Sequence, residues 1–264
     1  MRALRALPTL LRIGVSSAVA YRAEMLVWVL TTTMPLIMLP LWHAVAEEAP
    51  IRGFGQARFT AYFLAAFVVR QVVGAWASWT INYEVRTGAL NARLLRPIHP
   101  VWAYATEAVA SIPMRAALAL PVGIAAFVIT GGSHVADTPW AWAMIPLALA
   151  GAWGITFGAH VVVGAMSLWM HQSIKVMDVW SAGFFVFSGY LVPVALFPEW
   201  LRWLPAWMPF VYQLGFPVDL MTGALSFEEA ARQLALQWAW VAVITLLASV
   251  LWKRGLRRYG AFGG

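Results

Sequence analysis

The chain of 264 residues contains no cysteine, and Asp, Glu, Lys and Arg together make up only 11% of it. Without cysteine there is no thiol catalysis and no Cys-ligated zinc or iron–sulfur site. Soluble domains are about 25% charged and about 45–50% apolar, whereas this chain is 62% apolar with a mean hydropathy of +0.73. That balance excludes a soluble enzyme and a disordered protein. No G-x-x-x-x-G-K-[ST] run is present, so the chain cannot cradle nucleotide phosphates itself. No His-Glu-x-x-His run is present either. Ser188-Gly189 follows Val186-Phe187 and so lacks the first glycine of an intramembrane serine-protease nucleophile. Of the five histidines only His160 lies well inside an apolar run, where a lone imidazole reads as a packing residue. The chain is therefore expected to be no enzyme.

What is abundant is long apolar sequence, which predicts an all-α polytopic membrane protein. One crossing takes about 20 apolar residues, so six spans need roughly 120. Unbroken runs argue against a β-barrel, whose strands alternate over about 10 residues. The expected spans are Ala23–Val45, Ala57–Ile81, Val101–Thr130, Pro139–Met170, Ile174–Leu196 and Glu229–Trp252. The third and fourth are longer than a bilayer requires, and Pro113, Pro121 and Pro146 mark places where they can kink. Before them, Met1–Tyr21 mixes Arg2, Arg5 and Arg12 with leucines and reads as an amphipathic interfacial helix. The whole of 1–264 reads as a single transmembrane domain.

Arginine and lysine set the orientation. With the N-terminus inside, the cytoplasmic side holds Arg2, Arg5, Arg12, Arg22, Arg86, Arg93, Arg96, Lys175, Lys253, Arg254, Arg257 and Arg258, and the outer side Arg52, Arg58, Arg202 and Arg232. This asymmetry places both termini in the cytoplasm. The net charge of +7 then serves orientation and contact with anionic lipid, not nucleic acid, because the basic residues are dispersed over separate segments.

Two loops are too long to be turns. In the cytoplasmic one, Asn82–Pro100, a short helix is expected over Glu84–Leu95, ended by Pro97 and Pro100. It reads either as a lever for another protein or as an interfacial anchor. The external one, 197–228, is rich in proline and tryptophan, which fits short helices dipping back into the outer interface or an aromatic seal. Away from the span ends, three charges fall within expected spans: Arg70, Glu107 and Arg115. Each costs at least about 2.5–3.5 kcal/mol near mid-bilayer unless paired or hydrated. Glu107 and Arg115 are eight residues apart, about 12 Å along a helix, so they share a face without touching. A cross-helix Glu107–Arg70 pair, a contact with transported substrate, and snorkelling are all open. Gly154 and Gly158 form a small-xxx-small face suited to close helix packing.

The order Ser188-Gly189, Pro193, Phe197-Pro198-Glu199-Trp200-Leu201, Pro205, Pro209, Gly223 resembles the C-terminal signature of ABC type-2 exporter permeases. The run Glu84, Arg86, Gly88 and Leu94–Pro97 resembles the loop after the second span of the same bacterial family. The resemblance implies a half-sized permease of the type V exporter kind, with an N-terminal interfacial helix, six spans and re-entrant external helices. It implies pairing with a second permease, identical or homologous, above two separate ABC ATPase subunits that supply ATP and Mg, with membrane lipid around it. Glu84, Arg86, Gly88, Leu90, Arg93, Leu94, Leu95, Arg96 and Pro97 would form the coupling helix. The second and fifth spans would flank the pathway, with Arg70, Glu107, Arg115, Phe184, Phe187 and Tyr190 as its candidate residues. Pro193, Pro198, Trp200, Trp203, Pro205 and Pro209 would shape the re-entrant segment. No metal or cofactor is expected in this chain. Function then reads as export of a hydrophobic or amphipathic substrate across the bacterial plasma (inner) membrane. The alternative is a secondary transporter or channel that relays ions through Arg70, Glu107 and Arg115.

Overall fold

The computed structural model describes residues 9, 12, 33–129 and 134–259. The expected interfacial helix over 1–21, apart from Thr9 and Arg12, and the first part of the first span lie outside them. The described residues form helices α1 (Met34–Val45), α2 (Gln56–Val73), α3 (Ala77–Thr87), α4 (Leu90–Leu94), α5 (Pro100–Ala110), α6 (Ile112–Ile129), α7 (Pro139–Met166), α8 (Ile174–Phe187), α9 (Glu199–Ala206), α10 (Gly215–Met221) and α11 (Phe227–Leu256). Single 3-10 turns lie at Val194–Leu196 and Val211–Gln213. The stretches Gln56–Thr87, Pro139–Met166 and Phe227–Leu256 are long and apolar enough to cross a membrane, and Pro100–Ala117 with Leu120–Ile129 would make a fourth crossing if that pair, bent by 45°, is one span.

The hub is α7, which packs against α11, α3, α10 and α2. Its glycines allow this. A side chain at Gly151 would strike Gln237, at Gly154 it would press on Val241, and at Gly158 it would strike Ile244, so the face that spans Gly151 to Gly158 takes α11 at close range. One turn and a half further on, Gly164 does the same for Ile81 of α3. The long helix α11 starts where its sequence says it should. Ser226 accepts a hydrogen bond from the Glu229 amide at 3.3 Å, Glu228 and Glu229 occupy the first turn, and Lys253 and Arg254 the last, all in line with the helix dipole.

Three expected spans differ from what folds. The second, expected unbroken over Ala57–Ile81, is split, because Gly74 takes an extended conformation (ψ 137°) and α3 starts afresh at Ala77. The third is interrupted at Ser111 and bent again between Ala117 and Leu120, where Pro121 supplies no amide hydrogen for the turn before it. The fifth, expected to reach Leu196, stops as a helix at Phe187. Gly189 adopts φ +88°, the left-handed conformation that closes a helix. A Cβ there would also collide with the Tyr62 hydroxyl, which donates a 2.9 Å hydrogen bond to the Gly189 carbonyl.

Candidate functional site

The 82–100 loop is a stapled structure, not one helix. The expected helix over Glu84–Leu95 is broken at Gly88 (φ +76°), so Glu84 and Arg86 belong to the end of α3 and only Leu90–Leu94 form α4. Arg93 folds back from α4 and binds two carboxylates, with 2.8 Å to Glu84 on α3 and 2.8 Å to Glu107 on α5. Its guanidinium carbon also lies 4.5 Å from the centre of the Tyr104 ring, and the Tyr104 hydroxyl donates to the second Glu84 oxygen. Burial works against the charge of Arg93, but Glu107 and Glu84 outweigh it and hold the pKa above its ordinary value. Leu90 is fully buried beneath this network. The expected coupling residues thus divide in two. Glu84, Leu90 and Arg93 face inward and hold the loop's shape. Arg86, Leu94, Leu95, Arg96 and Pro97 are exposed, and Leu95 is 88% exposed.

The ion pair also reassigns Glu107. Counted along an apolar span it looked like a possible partner for Arg70, but Pro100 begins α5 only two turns earlier, within reach of Arg93. The three-residue relay Arg70–Glu107–Arg115 is therefore not assembled.

The other two charges do meet. The break between α2 and α3 forms the wall of a cavity of about 130 Å³, lined by Arg70, Gly74, Ala75, Trp76 and Trp79 from the broken span and by Arg115 from α6. Gln71 of α2, Thr156 and His160 of α7, Met177, Trp180, Ser181, Phe184 and Phe185 of α8, and Gln213 complete it. At the break, the last carbonyls of α2 lose their helical partners. Arg115, itself buried, donates to the Gly74 carbonyl at 3.1 Å and to the Ser111 hydroxyl at 2.9 Å. Arg70 sits in the last turn of α2, where the helix dipole favours a cation. Its guanidinium lies 4.9 Å from the Phe184 ring centre and 5.4 Å from that of Tyr190. Across the cavity Thr156 donates to the Gln213 side-chain carbonyl at 2.9 Å, and His160 Nδ1 lies 2.7 Å from the Ser78 hydroxyl. Among the described residues neither arginine forms an ion pair.

The candidate pathway set is thus partly gathered. Arg70, Arg115, Phe184 and Tyr190 come together, while Glu107 and the half-buried Phe187 stay apart. Sequence reasoning passed over Gly74, Trp76, Trp79, Thr156 and Gln213. The available signals were a glycine four residues after an intramembrane arginine, and Thr156 one helical turn before His160.

The 188–226 segment is built of short helices whose irregular backbone is closed by side chains from its surroundings. Carbonyls of Gly189, Leu191, Phe197 and Tyr212 accept from Tyr62, Trp42 (3.0 Å), Arg52 (2.7 Å) and Gln237 (2.8 Å) respectively. Gln237 donates as well to the Ala148 carbonyl of α7 at 2.9 Å. Each such bond removes a cost that unpaired backbone would carry in an apolar setting. Pro193 and Pro198 precede the first 3-10 turn and α9, Pro205 lies within α9, and Pro209 precedes the second 3-10 turn. Tyr212, Leu214, Phe216 and Val218 are buried, whereas Trp200, Trp203 and Trp207 are exposed at 74%, 61% and 72%. Asp219 of α10 is half-buried, and its carboxyl is pushed up to about 7 by burial, which outweighs the nearby Arg58 and is reinforced by Glu229.

The chain matches the profile of the ABC-2 family transporter proteins over residues 23–263, and it belongs to that family. No curated protein gives a significant match. As a family member it is a transporter membrane subunit, not itself an enzyme, and the ion-relay alternative is not favoured.

Proposed function

We propose that this ABC-2 chain is one transmembrane half of a bacterial ATP-driven exporter, a single transmembrane domain over 1–264 that pairs with a second permease above two ABC ATPase subunits. In this reading six spans cross the plasma membrane with both termini cytoplasmic, Met1–Tyr21 lies in the inner interface, and the 197–228 segment caps the outer side as re-entrant helices. ATP and Mg bind in the partner ATPases. Their closure pushes the 82–100 loop, and α3 carries that movement toward the pathway between paired permeases, moving a hydrophobic or amphipathic substrate outward.

The observation that carries this reading is the division of the loop into an internal staple and an exposed edge. Arg93, Glu84 and Glu107 make the loop rigid, and Leu94, Leu95, Arg86 and Arg96 are left exposed among the described residues. An apolar pair flanked by arginines suits a groove on another protein that is apolar at its base and acidic at its rim. The test is co-purification of the full chain with a Walker-motif ATPase encoded beside it. A stable complex that is lost in Arg86→Glu and Leu95→Asp supports the assignment. Substrate movement by the lone chain in liposomes under an ion gradient, with no ATPase, would overturn it.

A further inference from the structure

The cavity at the α2–α3 break holds two arginines and no carboxylate among its lining residues. Arg115 is buried and Arg70 half-buried; a charge held out of water without a counter-charge is unfavourable, and two in one small space repel each other. Part of that cost is met locally. Arg115 satisfies the orphaned Gly74 carbonyl, and Arg70 lies against two aromatic faces at the negative end of α2. The compensation is incomplete. Arg70 Nε, Arg115 Nε and Gln213 Nε2 are buried donors with no acceptor, and Gln213 itself is only 2% exposed. The opposite lip of the break is the start of α3, whose first turn carries no side-chain cap, so the positive end of its dipole adds to the positive character there. Cations, surplus donors and a helix start around one cavity describe a receptor for an anion.

The rim gives the rest of the ligand. Trp76, Trp79 and Phe185 line the same cavity and are 39%, 40% and 42% exposed. The mouth is therefore a set of aromatic rings open to the surroundings of the bundle, where an apolar chain can lie, while the interior is only large enough for a compact head. Resting on the exporter reading above, we propose that this cavity receives the anionic head, a phosphate or a carboxylate, of an amphiphilic substrate whose apolar chain leaves over Trp76, Trp79 and Phe185.

The full chain in phosphatidylcholine nanodiscs tests this with dodecyl phosphate, dodecyl maltoside, dodecyltrimethylammonium and inorganic phosphate as probes. Thermal unfolding and microcalorimetry are the readouts. Dodecyl phosphate is expected to raise the unfolding temperature of the wild-type chain and to bind once per chain. The maltoside and the ammonium amphiphile are expected to do neither, and inorganic phosphate to compete only at a concentration at least 10-fold higher. Arg70→Gln and Arg115→Gln are expected to weaken dodecyl phosphate at least 10-fold. Gln213→Leu, which leaves both arginines in place, is expected to weaken it several-fold and serves if either arginine variant fails to fold. Equal stabilisation by the maltoside, undiminished dodecyl phosphate binding in the folded variants, or inorganic phosphate as potent as the alkyl ester would each overturn the proposal. The outcome is separable from that of the exporter reading. A chain that captures its ATPase but ignores dodecyl phosphate loses only this inference, and one that binds dodecyl phosphate yet captures no ATPase loses the exporter assignment.

Discussion

The guanidinium of Arg115 occupies the space that a side chain on residue 74 would need, and the Gly74 carbonyl is one of its hydrogen-bond acceptors. Glycine at this position therefore has a spatial reason beyond backbone freedom. Gly74→Ala is expected to expel Arg115 from the break and to destabilise the protein by about 1–3 kcal/mol, the cost of leaving a buried polar group unmet. The double variant Gly74→Ala/Arg115→Met should recover part of that loss, since the two positions share one space. Thermal unfolding of these two variants and of Arg115→Met alone, in the same detergent, measures the coupling. Simple additivity would contradict it.

Arg93 and Leu95 lie two residues apart on one short loop and should behave in opposite ways. Arg93→Ala removes both ion pairs and the contact with Tyr104, with an expected loss of about 1–3 kcal/mol in stability. Leu95→Asp changes an exposed side chain and should stay within about 0.5 kcal/mol of the wild type, while abolishing ATPase capture. Unfolding curves paired with pull-down yields separate the two effects.

Asp219 makes the stability depend on pH. Its pKa in the fold, about 7, lies above the ordinary carboxylate value of 3.8, so the folded state holds the proton over a range where the unfolded chain has released it. Stability contributed by this group is present below about pH 4 and is lost as pH rises through about 7. Asp219→Asn should be more stable than the wild type at pH 8 and should show a flatter profile between pH 4 and 7. An unfolding-temperature series across that range decides it.

Gln237 joins three elements by donating to Ala148 of α7 and to Tyr212 in the 3-10 turn from its own place on α11. Gln237→Leu removes both bonds, leaving the Tyr212 carbonyl without this donor, and should cost about 1–3 kcal/mol. The local signature is faster amide exchange across residues 207–223, with the loop at 82–100 unaffected.

The apolar helices and the glycine face of α7 were readable because each depends on residues adjacent in sequence or one turn apart. Failures came where a distant residue decides. RQVVGAWAS contains no proline, and nothing local announces that Arg115, 41 residues later, will occupy the break at Gly74. Glu107 looked buried by position along an apolar run, but its environment is set by Arg93 returning from another helix. The apolar run of the fifth span continues through Ser188-Gly189, so hydropathy alone does not mark an end there. The stop at Phe187 follows from the left-handed Gly189 and from Tyr62 of α2 packed against it. The arginines of the site were visible as misfits in apolar sequence, but their joint cavity required the third dimension.

The break in the second span also has a mechanical side. A continuous helix from Gln56 to Thr87 would be a push-rod, passing any displacement at one end to the other. With the joint at Gly74–Trp76, α3 is a separate strut of 11 residues, about 16 Å long, with the exposed loop at its foot and Trp79 and the cavity at its head. In the exporter reading proposed above, a shove on Leu95 would arrive first at the two arginines. The α2 half, tied by Tyr62 to the 188–226 segment, would then stand still while the strut swings.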